Sequence, residues 1–292
     1  MTFFRLSQKI SNEVKRLLVE RLNATGYIGD ILSNPQNLKS THKIDKIATE
    51  AILELLQNYN ANIFIEGYGN KTKDNADFSI FIDPIDGSLN WDRGIGDPCI
   101  VIAISPKNKN IRFKDLEFAY VEGLRSGDIY YTEEKKSFFI SKLTKKRTRI
   151  ICKGVADVKE ATIYLRLGYG SELAKNQIEQ TFPLFFLCKD IRAIDNTGME
   201  ICEIARNAAD LMVEARKASD LYNLLAYPVL KFAGGFLTNL DGSFLDNEII
   251  DIYKQYDYIA VNNQILLKKA VNVLNDFATA KKYEYENVKI EI

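Results

Sequence analysis

Residues Ile80–Asp97 read IFIDPIDGSLNWDRGIGD, and the interpretation of the whole chain starts from this stretch. Its β-branched and aromatic beginning predicts a strand that ends at Asp83. Pro84 and Gly87 are the residue types that a sharp strand-to-helix bend requires. Two carboxylates, Asp83 and Asp86, therefore point into one small volume at the mouth of the strand.

Such a carboxylate pair is costly unless a cation neutralises it. Hard divalent cations prefer oxygen ligands, and Mg²⁺ commonly contacts carboxylates together with a substrate phosphate. The backbone N–H groups of Gly87 and Ser88, near a predicted helix start, are able to bind phosphate oxygens. The alternative is an Asp-rich turn that caps a helix, and an isolated Asp-x-x-Asp-Gly would favour that alternative.

Two carboxylates from other parts of the chain favour the metal site over the helix-capping turn. Glu66 ends the apolar strand NIFIE, just as Asp83 ends its neighbour, so adjacent strands would bring both to one sheet edge. Asp220 begins a predicted helix that runs to Ala233, and alone it is most simply a helix N-terminal residue. Together with Asp86, these side chains predict a two-metal site.

Composition excludes several classes of protein. The chain has 292 residues, 46% of them apolar and 27% charged, as in an ordinary soluble globular protein. Lys plus Arg equals Asp plus Glu, so no basic field exists to hold nucleic acid. No apolar run is long enough to span a membrane, and the N-terminus has no signal-peptide core, so we expect a cytoplasmic protein.

Histidine and cysteine limit the chemistry further. The only histidine is His42, which excludes a multi-histidine metal site and histidine phosphatase chemistry. The four cysteines form no Cys-x-x-Cys pair, so a structural zinc site is disfavoured. Buried thiols are the default in a reducing cytosol, although a disulfide among Cys152, Cys188 and Cys202 stays open.

The chain is predicted to divide into two halves. Residues 1–145 read as helices flanking a largely antiparallel sheet and carry most metal ligands. Residues 146–292 alternate strand and helix and carry Asp220. This pattern predicts an α+β or layered α/β arrangement. Ala24–Lys43 reads as an exposed loop, and the basic stretch Lys142–Ile150 as a linker or exposed edge.

Three segments resemble one known family. DPIDGSLNW (Asp83–Trp91) resembles the first signature of the inositol monophosphatase superfamily, and SDLYNLLAYPVLKFAGG (Ser219–Gly235) is similar to its second. STHKIDKIATEAI (Ser40–Ile52) looks like the helix that precedes the site in archaeal and bacterial members with joint inositol monophosphatase and fructose-1,6-bisphosphatase activity. The resemblance covers nearly the whole chain, and it implies a layered αβαβα sandwich that forms a homodimer.

The resemblance also implies roles for single residues. It implies two or three Mg²⁺ per subunit, a catalytic group that orients the attacking water, and a loop that binds substrate. The implied metal ligands are Glu66, Asp83, the carbonyl of Ile85, Asp86 and Asp220. The implied catalytic residues are Asp45, Glu66 and Ser88, and the substrate-binding residues are Asp86, Gly87, Ser88, Asp195, Asn196, Thr197, Glu214 and Arg216.

The chain departs from the family pattern at three places. Gly67 stands where the family usually has a second glutamate, Ser219 where it has tryptophan, and Asp195 where glycine lets the substrate approach. Several basic or aromatic residues could face a second phosphate or sugar hydroxyls, although an ordinary surface or ion-pair role is the simpler interpretation of each. They are Arg166, Tyr169, Arg192, Arg216 and Lys217.

The leading hypothesis is a Mg²⁺-dependent phosphatase acting on inositol 1-phosphate, fructose 1,6-bisphosphate or both. One alternative keeps the metals and changes the substrate to 3′-phosphoadenosine 5′-phosphate, but the sequence shows no adenine pocket. A degenerate, non-catalytic dimeric binding protein is the other alternative. The presence of all four carboxylates and of the Asp45–Ser88 pair argues against it.

Overall fold

Two β-sheets and the helices that cover them make up the structure. This computed structural model describes residues 2–25, 43–168 and 170–287, with side chains for 2–20, 46–168 and 170–277. The helices are α1 (Phe3–Thr25), α2 (Lys43–Leu56), α3 (Ser88–Arg93), α4 (Ser171–Thr181), α5 (Leu184–Leu187), α6 (Thr197–Ala205), α7 (Tyr227–Ala233) and α8 (Gln264–Asn287). The strands are β1 (Ala61–Ile65), β2 (Gly69–Lys71), β3 (Phe78–Asp86), β4 (Cys99–Ser105), β5 (Phe118–Gly123), β6 (Ile129–Glu133), β7 (Lys136–Ile140), β8 (Arg147–Ile150), β9 (Thr162–Leu165), β10 (Asp190–Arg192), β11 (Leu211–Ser219), β12 (Phe236–Thr238) and β13 (Tyr256–Val261).

The first sheet has eight strands in the order β2-β1-β3-β4-β5-β6-β7-β8. All its neighbours pair antiparallel except β1 and β3, which run parallel. Its central strands β3 and β4 are near-continuous apolar runs because both of their faces are covered. One face packs on α1 and α2 through fully buried side chains such as Ile10, Val14 and Ile52.

The second sheet has five strands in the order β10-β9-β11-β13-β12. Helices α6 and α7 lie between the two sheets, where Ile201 of α6 shares one core with Val101 of β4 and Met212 of β11. Helix α8 covers the outer face, and its Leu266 packs with Val213. The order of layers is αβαβα, as the resemblance implies.

The second signature folds differently from the prediction. The continuous helix predicted from Asp220 to Ala233 is wrong, because a 3₁₀ turn at Leu221–Leu224 precedes α7. Pro228 lies in the first turn of α7, where its missing N–H breaks no hydrogen bond; inside a longer helix it would break one. The chain therefore changes direction between Asp220 and α7.

The basic stretch Lys142–Ile150 ends in β8, the exposed edge strand of the first sheet. The first sheet is therefore complete only at Ile150, and the division between residues 145 and 146 stays a prediction. Helix α1 continues through Thr25 and α2 begins at Lys43, so residues 26–42 of the predicted loop Ala24–Lys43, His42 among them, lie outside the described residues. Tyr169 lies outside them as well. In the described part of the chain, no helix has the length and apolar character that a membrane span needs.

Candidate active site

The ends of two parallel strands bring Glu66 and Asp83 to one sheet edge. Strand β1 pairs with β3 in the register Ile65↔Ile82, and the Glu66 amide donates to the Ile82 carbonyl at 3.0 Å. Glu66 and Asp83 therefore follow directly paired positions. Asp83 is buried and accepts a 3.0 Å hydrogen bond from the Ile85 amide, whereas Glu66 is half-buried.

The strand predicted to end at Asp83 continues through an irregularity to Asp86, which is buried at its last position. The pairing of β3 with β4 shifts between Asp83 and Asp86, which separates the two carboxylates along the strand. Asp86 Oδ2 accepts a 2.6 Å hydrogen bond from the Gly198 amide at the start of α6. Burial raises the pKa of Asp86 to about 7, against the opposing effect of the Arg166 guanidinium. A carboxylate desolvated in this way gains strongly from a nearby cation.

Asp220 reaches the same region from the second half of the chain. It caps the 3₁₀ turn, since its Oδ1 accepts a 3.0 Å hydrogen bond from the Tyr222 amide and its own amide donates to Asn223 Oδ1 at 3.2 Å. Burial, and then the charges of Glu66, Asp220 and Asp83, raise the pKa of the Tyr222 hydroxyl. The charges of carboxylates from both halves of the chain therefore act on one phenol.

The four carboxylates are of the donor type that a hard divalent cation prefers. The charge of Glu66 also acts on the buried Asp86, which joins the fourth carboxylate to the other three. Carboxylate oxygens are the ligands that suit Mg²⁺. Within the side chains that the structure describes, no group of three or more Asp, Glu, Cys or His is close enough as placed to hold a metal. The fit is therefore one of donor type and shared charge rather than of ligand distances.

Almost the whole chain matches one protein family. A sequence model described as the inositol monophosphatase family matches residues 6–277. The chain belongs to the inositol monophosphatase family. The resemblance inferred from the two signatures is thereby confirmed, and the enzyme class that the family name describes, the phosphoric monoester hydrolases, is the predicted one.

Two archaeal relatives show the range within the family. The chain is 26% identical over 269 residues to a "Fructose-1,6-bisphosphatase/inositol-1-monophosphatase" of Archaeoglobus fulgidus, in a match that covers 89% of this chain and 94% of that protein. It is 25% identical over 251 residues to a "Bifunctional NADP phosphatase/NAD kinase" of Methanococcus maripaludis. That match covers 81% of this chain but only 43% of the relative, so the chain spans less than half of that relative's length.

A solved family structure has the same fold. The IMPase of Thermotoga maritima superimposes with a TM-score of 0.74 at 20% identity, over 96% of this chain and 99% of that one. At this identity the likeness concerns the fold alone. It confirms the layered α/β architecture predicted for this member of the inositol monophosphatase family.

The loop Asp195–Thr197, which is predicted to bind substrate, lies against the turn after Asp86. The Asp195 carbonyl accepts a 3.2 Å hydrogen bond from Asn90 Nδ2 and lies 3.5 Å from where a Cβ on Gly87 would be. The buried Asn196 donates from its side chain to the Asp97 carbonyl. Asp195 itself adopts a left-handed backbone with φ 65°, a conformation that favours the glycine usual at this position.

Glu214 and Arg216 pair with each other inside the protein. Arg216 donates from Nε to Glu214 Oε1 at 2.8 Å and from Nη2 to Glu214 Oε2 at 2.7 Å. Both side chains are almost fully buried. In this bidentate ion pair, Glu214 occupies the N–H groups of Arg216 that a substrate phosphate would need. The substrate contact predicted for both residues stays a prediction.

The remaining predicted residues differ in how far the structure describes them. Ser88 is half-buried at the first position of α3, whereas the side chain of Asp45 lies outside the described residues. Gly67 has φ 71° in the turn that joins β1 to β2, where a second glutamate would be strained. The Oγ of Ser219 is buried with no hydrogen-bond partner in the described part of the chain.

Sequence reasoning missed a buried ion pair beside the site. Arg166 follows β9 and donates from Nη2 to Glu200 Oε2 of α6 at 2.9 Å; the two side chains are 4% and 1% exposed. The simpler interpretation of Arg166, an ion pair, is confirmed. The separation of 34 residues between the partners left no local signal, because nothing in the sequence places β9 next to α6.

All four cysteines are free thiols. Cys99 and Cys202 are buried, and the Cys99 Sγ lies 3.7 Å from Asp86 Oδ2 and 3.2 Å from Asn196 Oδ1. Burial, and then the charges of Asp86 and Asp83, raise the pKa of the Cys99 thiol. Cys99 is therefore a neutral thiol at the wall of the site, and the disulfide left open by the sequence is absent.

Proposed function

We propose that this chain is a Mg²⁺-dependent phosphatase that hydrolyses a phosphate monoester of a small polyol or sugar, namely inositol 1-phosphate, fructose 1,6-bisphosphate or both. The observation that supports the proposal is that the charges of carboxylates from both halves of the chain act on common neighbouring groups. Glu66, Asp83 and Asp220 all act on the Tyr222 hydroxyl, and Glu66 acts on Asp86. Family membership supplies the reaction class that such a cluster would serve.

The chain's own groups divide the work of hydrolysis. The residues that would hold the ions are Glu66, Asp83, the Ile85 carbonyl, Asp86 and Asp220. When bound, Mg²⁺ supplies Lewis-acid activation of water and neutralises charge on the phosphate. Glu66 is half-buried, whereas Asp86 is buried and is fixed by the 2.6 Å hydrogen bond from the Gly198 amide.

Phosphate and water are held by the turn after Asp86. The backbone N–H groups of Gly87 and Ser88 would hold phosphate oxygens, and the Ser88 hydroxyl would orient the attacking water together with Asp45. Ser88 is not the nucleophile in this proposal, because the chain's single histidine is His42 and no base is seen beside the serine among the described residues. Water attacks phosphorus directly, and the alcohol leaves with a proton from solvent.

A nucleotide phosphate is the second candidate substrate. The observation that favours it is the relative named for NADP phosphatase, which aligns with 81% of this chain. An aspartate at position 195, where the family has glycine, changes the surface that meets the substrate. The homodimer and the cytoplasmic location stay predictions from the resemblance and the sequence.

Phosphate release from a substrate panel tests the proposal. The panel contains inositol 1-phosphate, fructose 1,6-bisphosphate, NADP and 3′-phosphoadenosine 5′-phosphate, each assayed with Mg²⁺ and with EDTA. We expect phosphate release from inositol 1-phosphate, fructose 1,6-bisphosphate or both, and we expect this release to require Mg²⁺. Release only from NADP would select the second candidate. No release from any of them, or release that survives EDTA, would contradict the metal-dependent phosphatase.

A further inference from the structure

We propose that Arg166 is a positioning residue for the metal-binding carboxylates. Arg166 fixes the first turn of α6 through Thr197 and Glu200. This first helical turn then holds Asp86 directly and Asp220 through Asn223. The inference rests on the proposed function. We call Arg166, Asp195, Thr197 and Glu200 the Arg166 cluster.

The contacts of Arg166 use the whole guanidinium fork. Nη2 donates to Glu200 Oε2 at 2.9 Å and also to Thr197 Oγ1, and Nε donates to Glu200 Oε2 at 3.3 Å. Nη1 lies 3.4 Å from Asp195 Oδ1. All three partners belong to α6 or to the loop that leads into it, so one side chain ties the loop to the first turn.

Glu200 closes the cluster on the loop side. Its second oxygen, Oε1, accepts a 3.1 Å hydrogen bond from the Asp195 amide. Glu200 is 1% exposed and Thr197 is fully buried, so water does not compete for these bonds. The left-handed backbone of Asp195 is thus held by the same carboxylate that binds Arg166.

The first turn of α6 then makes one contact to each half of the metal site. The Gly198 amide, next to Thr197, donates to Asp86 Oδ2 at 2.6 Å. On the other side, Thr197 Oγ1 accepts a 3.2 Å hydrogen bond from Asn223 Nδ2, and Asn223 Oδ1 accepts from the Asp220 amide at 3.2 Å. Both carboxylate positions therefore depend on where α6 begins.

The cost of the cluster argues for a role beyond stability. A buried ion pair often stabilises a protein no better than apolar side chains of the same volume, because both charges lose their water. An arginine is needed where three acceptors must be met in fixed directions, and lysine would not meet them. Partners that orient metal ligands from outside the coordination shell typically contribute about 10- to 100-fold to metal affinity or activity.

Mg²⁺ binding to the Arg166→Met variant, followed by isothermal titration calorimetry, tests the inference. We expect binding that is weaker by about 10- to 100-fold. In steady-state assays with the active substrate of the panel, we expect kcat at a fixed Mg²⁺ concentration to fall to a similar degree. We expect KM to rise as well, because Arg166 also holds Asp195 and Thr197 of the predicted substrate loop, so Mg²⁺ binding is the deciding measurement.

Lys15→Met is the matched control. Lys15 is the cationic partner of the buried Glu122, which lies on the opposite side of the first sheet and also accepts a 2.6 Å bond from Ser11. Its loss removes the cationic partner of another buried glutamate, and we expect Mg²⁺ binding and kcat to stay within ~2-fold of wild type. Should Arg166→Met fail to fold, Glu200→Gln, which keeps the shape of the side chain, is measured in its place with the same expected direction.

Three results would overturn the inference. Mg²⁺ binding and kcat of Arg166→Met equal to those of Lys15→Met would leave only a structural role. A raised KM with unchanged Mg²⁺ binding would make Arg166 a substrate contact. Loss of Mg²⁺ binding in both variants would mean that any buried ion pair matters equally.

If wild type binds Mg²⁺ but releases no phosphate, the proposed function fails while the calorimetry still decides the role of Arg166.

Discussion

At the scale of single residues, the environment of Asp86 explains why the cluster needs a cation. Its carboxylate is 6% exposed, has the Gly198 amide as a donor and feels the negative charge of Glu66. Desolvation opposes ionisation of such a group, as its raised pKa shows. A bound divalent cation would reverse that balance. The neutral thiol of Cys99 beside it supplies no charge.

Asp86→Asn should abolish turnover while the protein stays folded. The amide oxygen still accepts from Gly198, but the charge that binds the cation is gone. We expect kcat to fall more than ~100-fold, beyond the usual effect of residues outside the coordination shell. Wild type should gain about 2.7 kcal/mol of stability at a Mg²⁺ concentration about 100 times Kd, and the variant should gain much less. Thermal unfolding with and without Mg²⁺ measures this.

Asp210→Asn serves as the control for Asp86→Asn. Asp210 is also buried and accepts from backbone amides, those of Thr162 at 3.0 Å and Val155 at 3.3 Å, but it lies at the start of β11. We expect lower stability with an unchanged Mg²⁺ shift. Near-normal turnover in Asp86→Asn would remove this residue from the site.

Thiol reactivity reports on the walls of the site. Cys152 and Cys188 are both half-buried. Burial raises the pKa of the Cys152 thiol to about 12 and raises the pKa of the Cys188 thiol as well. A higher pKa leaves less thiolate at pH ~8, so the thiol is labelled more slowly. The labelling rate increases only as the pH rises toward the pKa. We expect iodoacetamide to label Cys188 first, Cys152 slowly, and Cys99 and Cys202 only after unfolding. Mass spectrometry of peptides locates the label, and rapid native labelling of Cys99 would contradict the structure.

At the scale of elements, the start of α6 is pressed against β4. A Cβ on Gly198 would lie 2.4 Å from Val101 Cγ2 and 3.2 Å from Asp86 Oδ2. No side chain fits there unless the helix moves, and the helix carries the donor to Asp86. Glycine is therefore required at position 198 because the α6 backbone lies so close to the Asp86 carboxylate, and not because of a special φ angle.

Gly198→Ala should damage both stability and activity. Overpacking of this kind typically costs about 1–3 kcal/mol, and displacement of the Gly198 amide should lower kcat at least ~10-fold. Gly168→Ala is the matched control, since its nearest contact would be Arg216 Nη1 at an ordinary 3.9 Å. We expect the unfolding midpoint of that control to stay near wild type. An active, stable Gly198→Ala would show that α6 tolerates movement and that its start does not fix Asp86.

Elements with a strong pattern could be predicted from the sequence, and short ones could not. The apolar runs of β3 and β4 and the periodic face of α1 are local signals, and the structure contains all three elements, with β3 continuing to Asp86 rather than ending at Asp83. Strands β2 and β12 have three residues each, too few for a pattern, and form because a neighbouring strand offers hydrogen bonds. The 3₁₀ turn before α7 depends on the capping by Asp220, which competes with helix continuation.

At the scale of the whole molecule, the candidate site lies where the two halves of the chain meet. Glu66, Asp83 and Asp86 belong to the first sheet or follow its strands, Asp220 follows a strand of the second, and α6 lies between the sheets and contacts both groups. The sequence predicts the acidic residues from their places near strand ends and at the start of a turn, and their role as metal ligands stays a prediction. It could not show the Arg166 cluster or the Glu214–Arg216 pair, because both depend on how side chains meet in the folded protein.

The proposed function depends above all on these four carboxylates surrounding divalent cations. The most direct test is anomalous diffraction from a crystal of the protein soaked in Mn²⁺, an ion with the same preference for oxygen ligands. We expect at least one strong anomalous peak bounded by Glu66, Asp83, Asp86 and Asp220. A map with no peak there, or with its peaks only at other surfaces, would contradict the metal-dependent site.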